Sequence, residues 1–335
     1  MTVSFEHLWS LSSPIGTFEH ARGREPRLEH GYCVDDVARV LVVVFEHQGN
    51  RLPLDELEYR SLRFVLDAHD RQGRVRNRRR ADGRWYATSS IGDCWGRSLW
   101  ALGLASLHAC TDQRRAAALA RYARSCEQPS VWPRSLAYAT LGAAELARLD
   151  RVDEAWLAPV RRFVDWFDLA SPADGWPWPE ARLSYANAVI CEAAVAAGTV
   201  VERLDLVRRG LELLDWLVEH ESVGDHLSPT PVGGAGPGDP PGRFDQQPIE
   251  VASLAHAARR AFESTYDERW AGVVERCARW FEGDNDVGAM MWDPSTGAGY
   301  DGLELSSVNQ NCGAESTLSA MSTMEQREAV RQMLR

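Results

Sequence analysis

The sequence contains no lysine: all 37 of its basic side chains are arginines. That absence excludes Schiff-base chemistry and the lysine of a phosphate-binding loop. Basic charge is also outnumbered, and a net charge of -11 argues against nucleic acid, whose phosphates need clustered basic partners. Metal motifs are missing as well. Nine histidines form neither HxxxH nor HExxH, and the cysteines at 33, 94, 110, 126, 191, 277 and 312 include no CxxC, so neither a metal nor another cofactor is expected. There is no GxSxG elbow, and acidic neighbours disfavour the thiolates of Cys33 and Cys94. The chain opens without a basic region followed by a long apolar one, and nowhere holds an uninterrupted apolar stretch of about 18 residues. A cytoplasmic protein with free thiols and no membrane contact is therefore expected. Strand-like alternation of period two is nearly absent, so sheets do not compete for the core.

What remains is helical, in two kinds that strictly alternate. Amphipathic segments rich in Arg and Glu run from Ser4 to Leu11, Asp55 to Ala68, Gln113 to Cys126, Val152 to Leu169, Asp205 to Glu221 and Asp267 to Phe281. Apolar segments rich in Ala, Leu and Val run from Asp35 to Phe45, Trp95 to Cys110, Pro133 to Leu149, Ser184 to Gly198, Pro248 to Phe262 and Gly313 to Met324. Six of each kind make six helical hairpins. The intervals vary, which speaks against an open solenoid of fixed repeat. The long Gly, Pro and Trp-rich loops always fall between an amphipathic segment and the apolar one after it. The predicted fold is an all-α (α/α)6 toroid occupying 1–335 as a single domain, with those loops around one mouth. The last stretch, Met324 to Arg335, is expected to form a helix packing back on the N-terminal one.

The mouth collects the residues that open each inner helix. Asp35 and Asp36 lead; Asp93, Trp95 and Arg97 follow, then Trp132 and Arg134, then Trp178, Glu180, Tyr185 and Asn187. Asp245, Gln247 and Glu250 open the fifth helix, and Asp301, Asn309, Asn311 and Glu315 the sixth. Five of the six sets carry a carboxylate. Acids and amides that bond hydroxyl groups, with indoles that cover pyranose faces, suit a saccharide. Two carboxyl groups held in different protonation states suit glycosidic cleavage. Asp36 and Asp93 are the candidate acid and base, and Glu315 the reserve. Neighbours on a helix point about 100° apart, so one of Asp35 and Asp36 is expected to face the pocket and the other to cap the helix. The arginine-rich loop Arg74 to Trp85 reads either as a grip for an anionic group or as solvated surface. Segment 232–243 reads as a flexible lip. His20 and His30 read as a proton-transfer group or as surface residues, His256 as a core histidine, and Glu192 as a residue of the pocket wall.

The motifs GYCVDDVARVL, GDCWGRSLWALG, WPWPEARLSYANA, FDQQPIE and YDGLELSSVNQNCGAESTLSA resemble, in order, a group of bacterial helical proteins found beside or fused to glycosyltransferases and similar in architecture to six-hairpin glycosidases. The resemblance implies a carbohydrate-linked role and a glycosyltransferase as partner. The chain departs from that group at Gly92 and Trp95, where relatives carry Glu and His, and at Ala181 and Ala186, where they carry acids. Those losses motivate a second reading beside a glycoside hydrolase, a sugar-binding partner without catalysis. A third, a sugar 2-epimerase, shares the toroid but relies on paired histidines at inner helices, and the sequence shows no such pair.

Overall fold

A computed structural model of the protein describes residues 3–170, 175–239 and 243–335. In chain order its helices are α1 (Glu6–Ser10), α2 (Val34–Glu46), α3 (Asp55–Ala68), α4 (Asp93–His108), α5 (Asp112–Ser125), α6 (Pro133–Leu146), α7 (Ala158–Leu169), α8 (Ala188–Val200), α9 (Leu204–His220), α10 (Pro248–Thr265), α11 (Glu268–Phe281) and α12 (Ala314–Met333). Even-numbered helices are buried on nearly every side, as their all-round apolar composition demands: in α4 every residue from Cys94 to Ser106 is buried. Odd-numbered ones bury a single stripe. In α11 it runs through Trp270, Val273, Val274, Cys277 and Phe281.

Around the ring α2, α4, α6, α8 and α10 each pack on the next, and α12 closes on α2. The outer helices lie against these, α3 on α2, α5 on α4, α7 on α6, α9 on α8 and α11 on both α10 and α12. This is the (α/α)6 toroid. The tightest seam is α4 against α6, where Gly103 faces Gly142. A Cβ on Gly103 would stand 2.4 Å from the Gly142 carbonyl oxygen, a separation only a glycine permits.

Several connections from an inner to an outer helix are short, as at 109–111 and 201–203. The longest ones run from outer to inner and gather at the inner N-termini, 126–132 before α6 being the short exception. Two-residue strands brace them: Tyr32–Cys33 pairs with Arg78–Arg79, tying the loop before α2 to the loop before α4. Likewise a bridge between Gln246 and Leu303 ties the last two long loops. Of segment 232–243, residues 240–242 lie outside the described residues; its described part is anchored by paired backbone bonds between Leu183 and Ala235, 2.7 and 3.1 Å long.

Three sequence expectations need correction. Met324 to Arg335 is no separate helix but the continuation of α12, which contains neither Gly nor Pro to stop it. It does touch α1. The inner helix expected from Ser184 begins at Ala188, because the Ser184 amide is held by Asn187 Oδ1 in a turn before the helix. A 3-10 turn, Glu154–Leu157, precedes α7 where helix was expected from Val152. No described helix is long and apolar enough to cross a membrane.

Candidate functional site

The loops and the inner N-termini enclose a chamber of about 450 Å³. Among the described residues six acids (Glu19, Asp35, Asp36, Asp93, Asp301 and Glu315) line it against three arginines (Arg39, Arg78 and Arg97). Helix N-termini tolerate this excess of negative charge. Its floor is organised by Arg39, one turn into α2. One guanidinium nitrogen holds Asp36 Oδ1 and the other holds Glu315 Oε2, both at 2.5 Å, so a single cation spans the first turns of two adjacent helices. One positive charge cannot neutralise two carboxylates. Asp36 is 3% exposed, and burial pushes its carboxyl up to about 8; Arg39 opposes the shift while Glu315, Glu19 and Asp35 add to it. The more open Glu315 side chain, 46% exposed, faces the chamber.

Across the floor stands Asp93, the first residue of α4. Ser135 donates its hydroxyl to Oδ1 at 2.9 Å and Tyr185 donates to Oδ2 at 2.7 Å. Two hydroxyl donors from different elements fix the carboxylate's orientation. Asp35 accepts from Asn77 Nδ2 at 2.9 Å and pairs with Arg97 Nε at 3.5 Å. The Arg97 guanidinium lies 4.0 Å from the centre of the Tyr138 ring. Arg78 pairs with Glu19. Asp301 accepts from the Gly313 amide at 2.8 Å and from the Ser316 hydroxyl, pinning the start of α12. Beside this cluster the Cys33 thiol is held well above its ordinary range by burial and by Asp35 and Asp36, which leaves it inert as a nucleophile.

The chamber thus brings together Asp35, Asp36, Asp93, Arg97, Tyr185, Gln247, Asp301, Asn309 and Glu315 of the residues expected at the mouth. Asp35 and Asp36 both line it, against the expectation that one would cap α2. The residue before α2 is Cys33, which makes no side-chain cap bond, and the chamber is wide enough over that end to meet both directions.

Other expected residues are not on its wall. Trp95 is fully buried and donates its indole N–H to the Ser125 carbonyl. Trp178 is equally buried, its indole N–H reaching Glu180. Glu180 accepts twice from Arg134 at 2.8 Å; Arg134 reaches on to Asn187 Oδ1, and Asn187 to Glu250. That chain of charges and amides buttresses the Tyr185 turn from behind. Within it, burial and then Glu221 push the Glu250 carboxyl up to about 8. Asp245 sits exposed outside the chamber, and Asn311 accepts from the Gly23 amide instead. Of these only Trp95 and Glu250 stand on an inner helix, where the helix rotation turns them away from the chamber; Trp178, Glu180, Asp245 and Asn311 belong to the loops before α8, α10 and α12, and the loop paths carry them off it.

Three contributors are not separable by sequence reasoning. Arg39 shows only as the one charge in an apolar run, and its partner Glu315 is 276 residues away. Glu19 carries no local signal at all. Arg78 belongs to the arginine-rich loop, of which it alone lines the chamber. His20 also lines it, and its Nδ1 lies 2.9 Å from Nδ1 of His30, the two rings meeting edge to face.

No protein-family model matches the sequence, and comparison with curated proteins gives no match. Solved structures do resemble it. A sugar epimerase from a ruminal bacterium superposes with a TM-score of 0.72 at 10% identity, over 97% of this chain and 95% of that one. A cellobiose 2-epimerase from Bacillus thermoamylovorans gives 0.72 at 12%, over 98% and 96%. An α-1,6-mannanase from a Salegentibacter species gives 0.67 at 12%, over 97% of each. At such identities the likeness establishes the six-hairpin toroid and its full extent along this chain.

Proposed function

We propose that the mouth chamber binds a saccharide and hydrolyses a glycosidic bond. The observation that carries this reading is the contrast between two carboxyl groups on one floor: Asp36 keeps its proton near neutrality, while Asp93 is oriented by two hydroxyl donors and presents an acceptor to the chamber. Asp36 delivers its proton to the leaving glycosidic oxygen. Asp93 takes a proton from the attacking water, so a hemiacetal and an alcohol leave with no net charge change. Glu315, fixed by Arg39 and open to the chamber, faces the positive charge that builds on the ring. Asp35, Arg97, Gln247, Asp301 and Tyr185 supply hydroxyl contacts. The glycosidase among the structural neighbours supports the same reading. Screening oligosaccharides and aryl glycosides tests it: Asp36→Asn and Asp93→Asn should each lower kcat by about 10²- to 10⁴-fold. A parent protein with no turnover, or two variants as active as the parent, would overturn it.

A second reading rests on the His20–His30 contact and on the epimerases among the neighbours. Here the His20 imidazole, which lines the chamber and is oriented by His30, takes the proton from the carbon beside an open-chain sugar's carbonyl, and a protonated chamber acid such as Asp36 returns one to the opposite face. Deuterium incorporated at that carbon in heavy water, lost in His20→Asn but kept in Asp93→Asn, would favour epimerisation over hydrolysis. The motif resemblance supports a glycosyltransferase as partner in either case. Co-purification of the two from the same cells checks that, and saccharide binding without product would favour a non-catalytic partner.

A further inference from the structure

The bore of the toroid does not end beneath the mouth. Below Arg39 and Arg97 it narrows to a neck of about 40 Å³ walled by Val42, Val43, Val189, Ile249 and Leu318. Past the neck, at the C-terminal ends of the inner helices, it widens again into a chamber of about 240 Å³. Here each of the six inner helices contributes a polar side chain: Glu46, His108, Glu145, Glu192, Arg260 and Gln326. A bore that needed only to be closed would be plugged by apolar residues, which fill space without the desolvation that buried ion pairs demand. Trp100 and Phe45 give this chamber its apolar wall.

We propose that this back chamber is a second binding site, for a neutral, hydroxyl-rich molecule of monosaccharide size. Its charges are already matched to one another. Arg260 reaches Glu192 at 3.1 Å and Glu145 at 3.5 Å; Arg259 reaches Glu263 at 2.8 Å and Gln326 at 2.9 Å; Gln326 in turn donates to Glu46 at 2.8 Å. Such pairing leaves no strong field for a free ion. It does leave spare carboxylate lone pairs beside spare guanidinium N–H groups in fixed geometry. A hydroxyl donates to the one and accepts from the other without breaking the pair, which a hydrocarbon or a lone ion does not do. Burial pushes Glu46 up to about 7, a sign of the low-dielectric setting in which each such bond counts for more. The neck is too narrow for a sugar ring, so the ligand enters from the opposite face, where Arg148, 71% exposed, and Gln48 form the rim. The site stands whether or not the mouth is catalytic.

Calorimetric titration of the full chain with D-glucose, D-mannose and myo-inositol tests the proposal. At least one of these probes should bind with an affinity that Arg148→Ala, at the rim, and Glu145→Gln, which keeps the side-chain shape, each weaken about ten-fold. The mouth substitution Tyr185→Phe should leave that affinity unchanged. Folded-state circular dichroism of the two back-chamber variants at the titration temperature should match the parent, so that a lost affinity is not a lost fold. Binding that ignores both back-chamber substitutions, or no binding by any probe, would overturn the proposal.

Discussion

Arg39 carries the largest share of the mouth's electrostatics, because two acids depend on one guanidinium. Replacing it by Met keeps the length and removes the charge. Arg39 opposes the upward shift of the Asp36 carboxyl, so in Arg39→Met that carboxyl stays protonated to higher pH and the alkaline limb of kcat/KM should move above about pH 8. Glu315, 46% exposed, loses its partner to solvent, so stability read from the denaturation midpoint should fall by no more than about 1 kcal/mol. Tyr185 offers a milder probe. It is half exposed, so Tyr185→Phe should not alter stability, but Asp93 loses one of its two hydroxyl donors. A drop in kcat of about ten-fold corresponds to about 1.4 kcal/mol, the net worth of one such bond. The acid role of Asp36 also sets the rate profile: kcat/KM should fall as pH passes about 8, where that carboxyl gives up its proton. Residue-scale roles of this sort are the least readable from sequence. Acids at helix starts announce themselves, but Trp95 and Glu250 occupy the same kind of position as Asp36 and Asp93 and are turned away by helix rotation, and Glu180 is carried off by the path of its loop, neither of which a local pattern records.

At the scale of elements the sequence is far more explicit. An inner helix is apolar all round because it is enclosed all round, and an outer helix shows one stripe because it has one neighbour layer. Both patterns are local, so the alternation survives without knowledge of the partner. Ends are harder, as α12 shows: its surface changes from enclosed through Gln326 to exposed from Arg331 while its backbone continues. Close approach is also invisible until the partner is known. Gly96, Gly103 and Gly142 look like three weak points in helices, yet all three are places where α4 and α6 approach closely: a Cβ on Gly96 would stand 2.3 Å from the Ser135 carbonyl oxygen and one on Gly142 2.3 Å from that of Leu99. Gly103→Ala puts a methyl group 2.4 Å from a backbone carbonyl that cannot rotate away. The variant should lose about 1 to 3 kcal/mol despite the better helix propensity of alanine, read as a lower urea midpoint at unchanged slope. A midpoint equal to the parent's would show the seam to be looser than described.

Closing the ring makes one molecule of these parts, and we propose that 1–335 unfolds as a single domain, with fluorescence and circular dichroism melting together. Closure also buries titratable groups that a sequence cannot mark as buried, and these set the pH response of the whole. Asp36 and Glu250 are pushed up to about 8, Glu46 and Glu221 to about 7, in every case chiefly by burial. Unfolded, such groups release their protons near pH 4. The native state therefore holds more protons than the unfolded one from about pH 4 to about 8, and this contribution to stability falls throughout that range. Buried histidines act in the opposite sense. His69 and His256 are lowered to about 4 by burial, so below about 6.5 the unfolded chain takes up protons that the native chain refuses, and stability rises with pH until that value is reached. The two effects oppose each other at acidic pH, but above about 6.5 only the carboxyl groups still titrate. The melting temperature should consequently fall from pH 6.5 to 8. Glu250→Gln should flatten that slope, because the amide takes part in no proton release in either state. A melting temperature that rises across the same interval would mean that these carboxyl groups are ionised in the native protein, and the proton that Asp36 is proposed to donate would not be there.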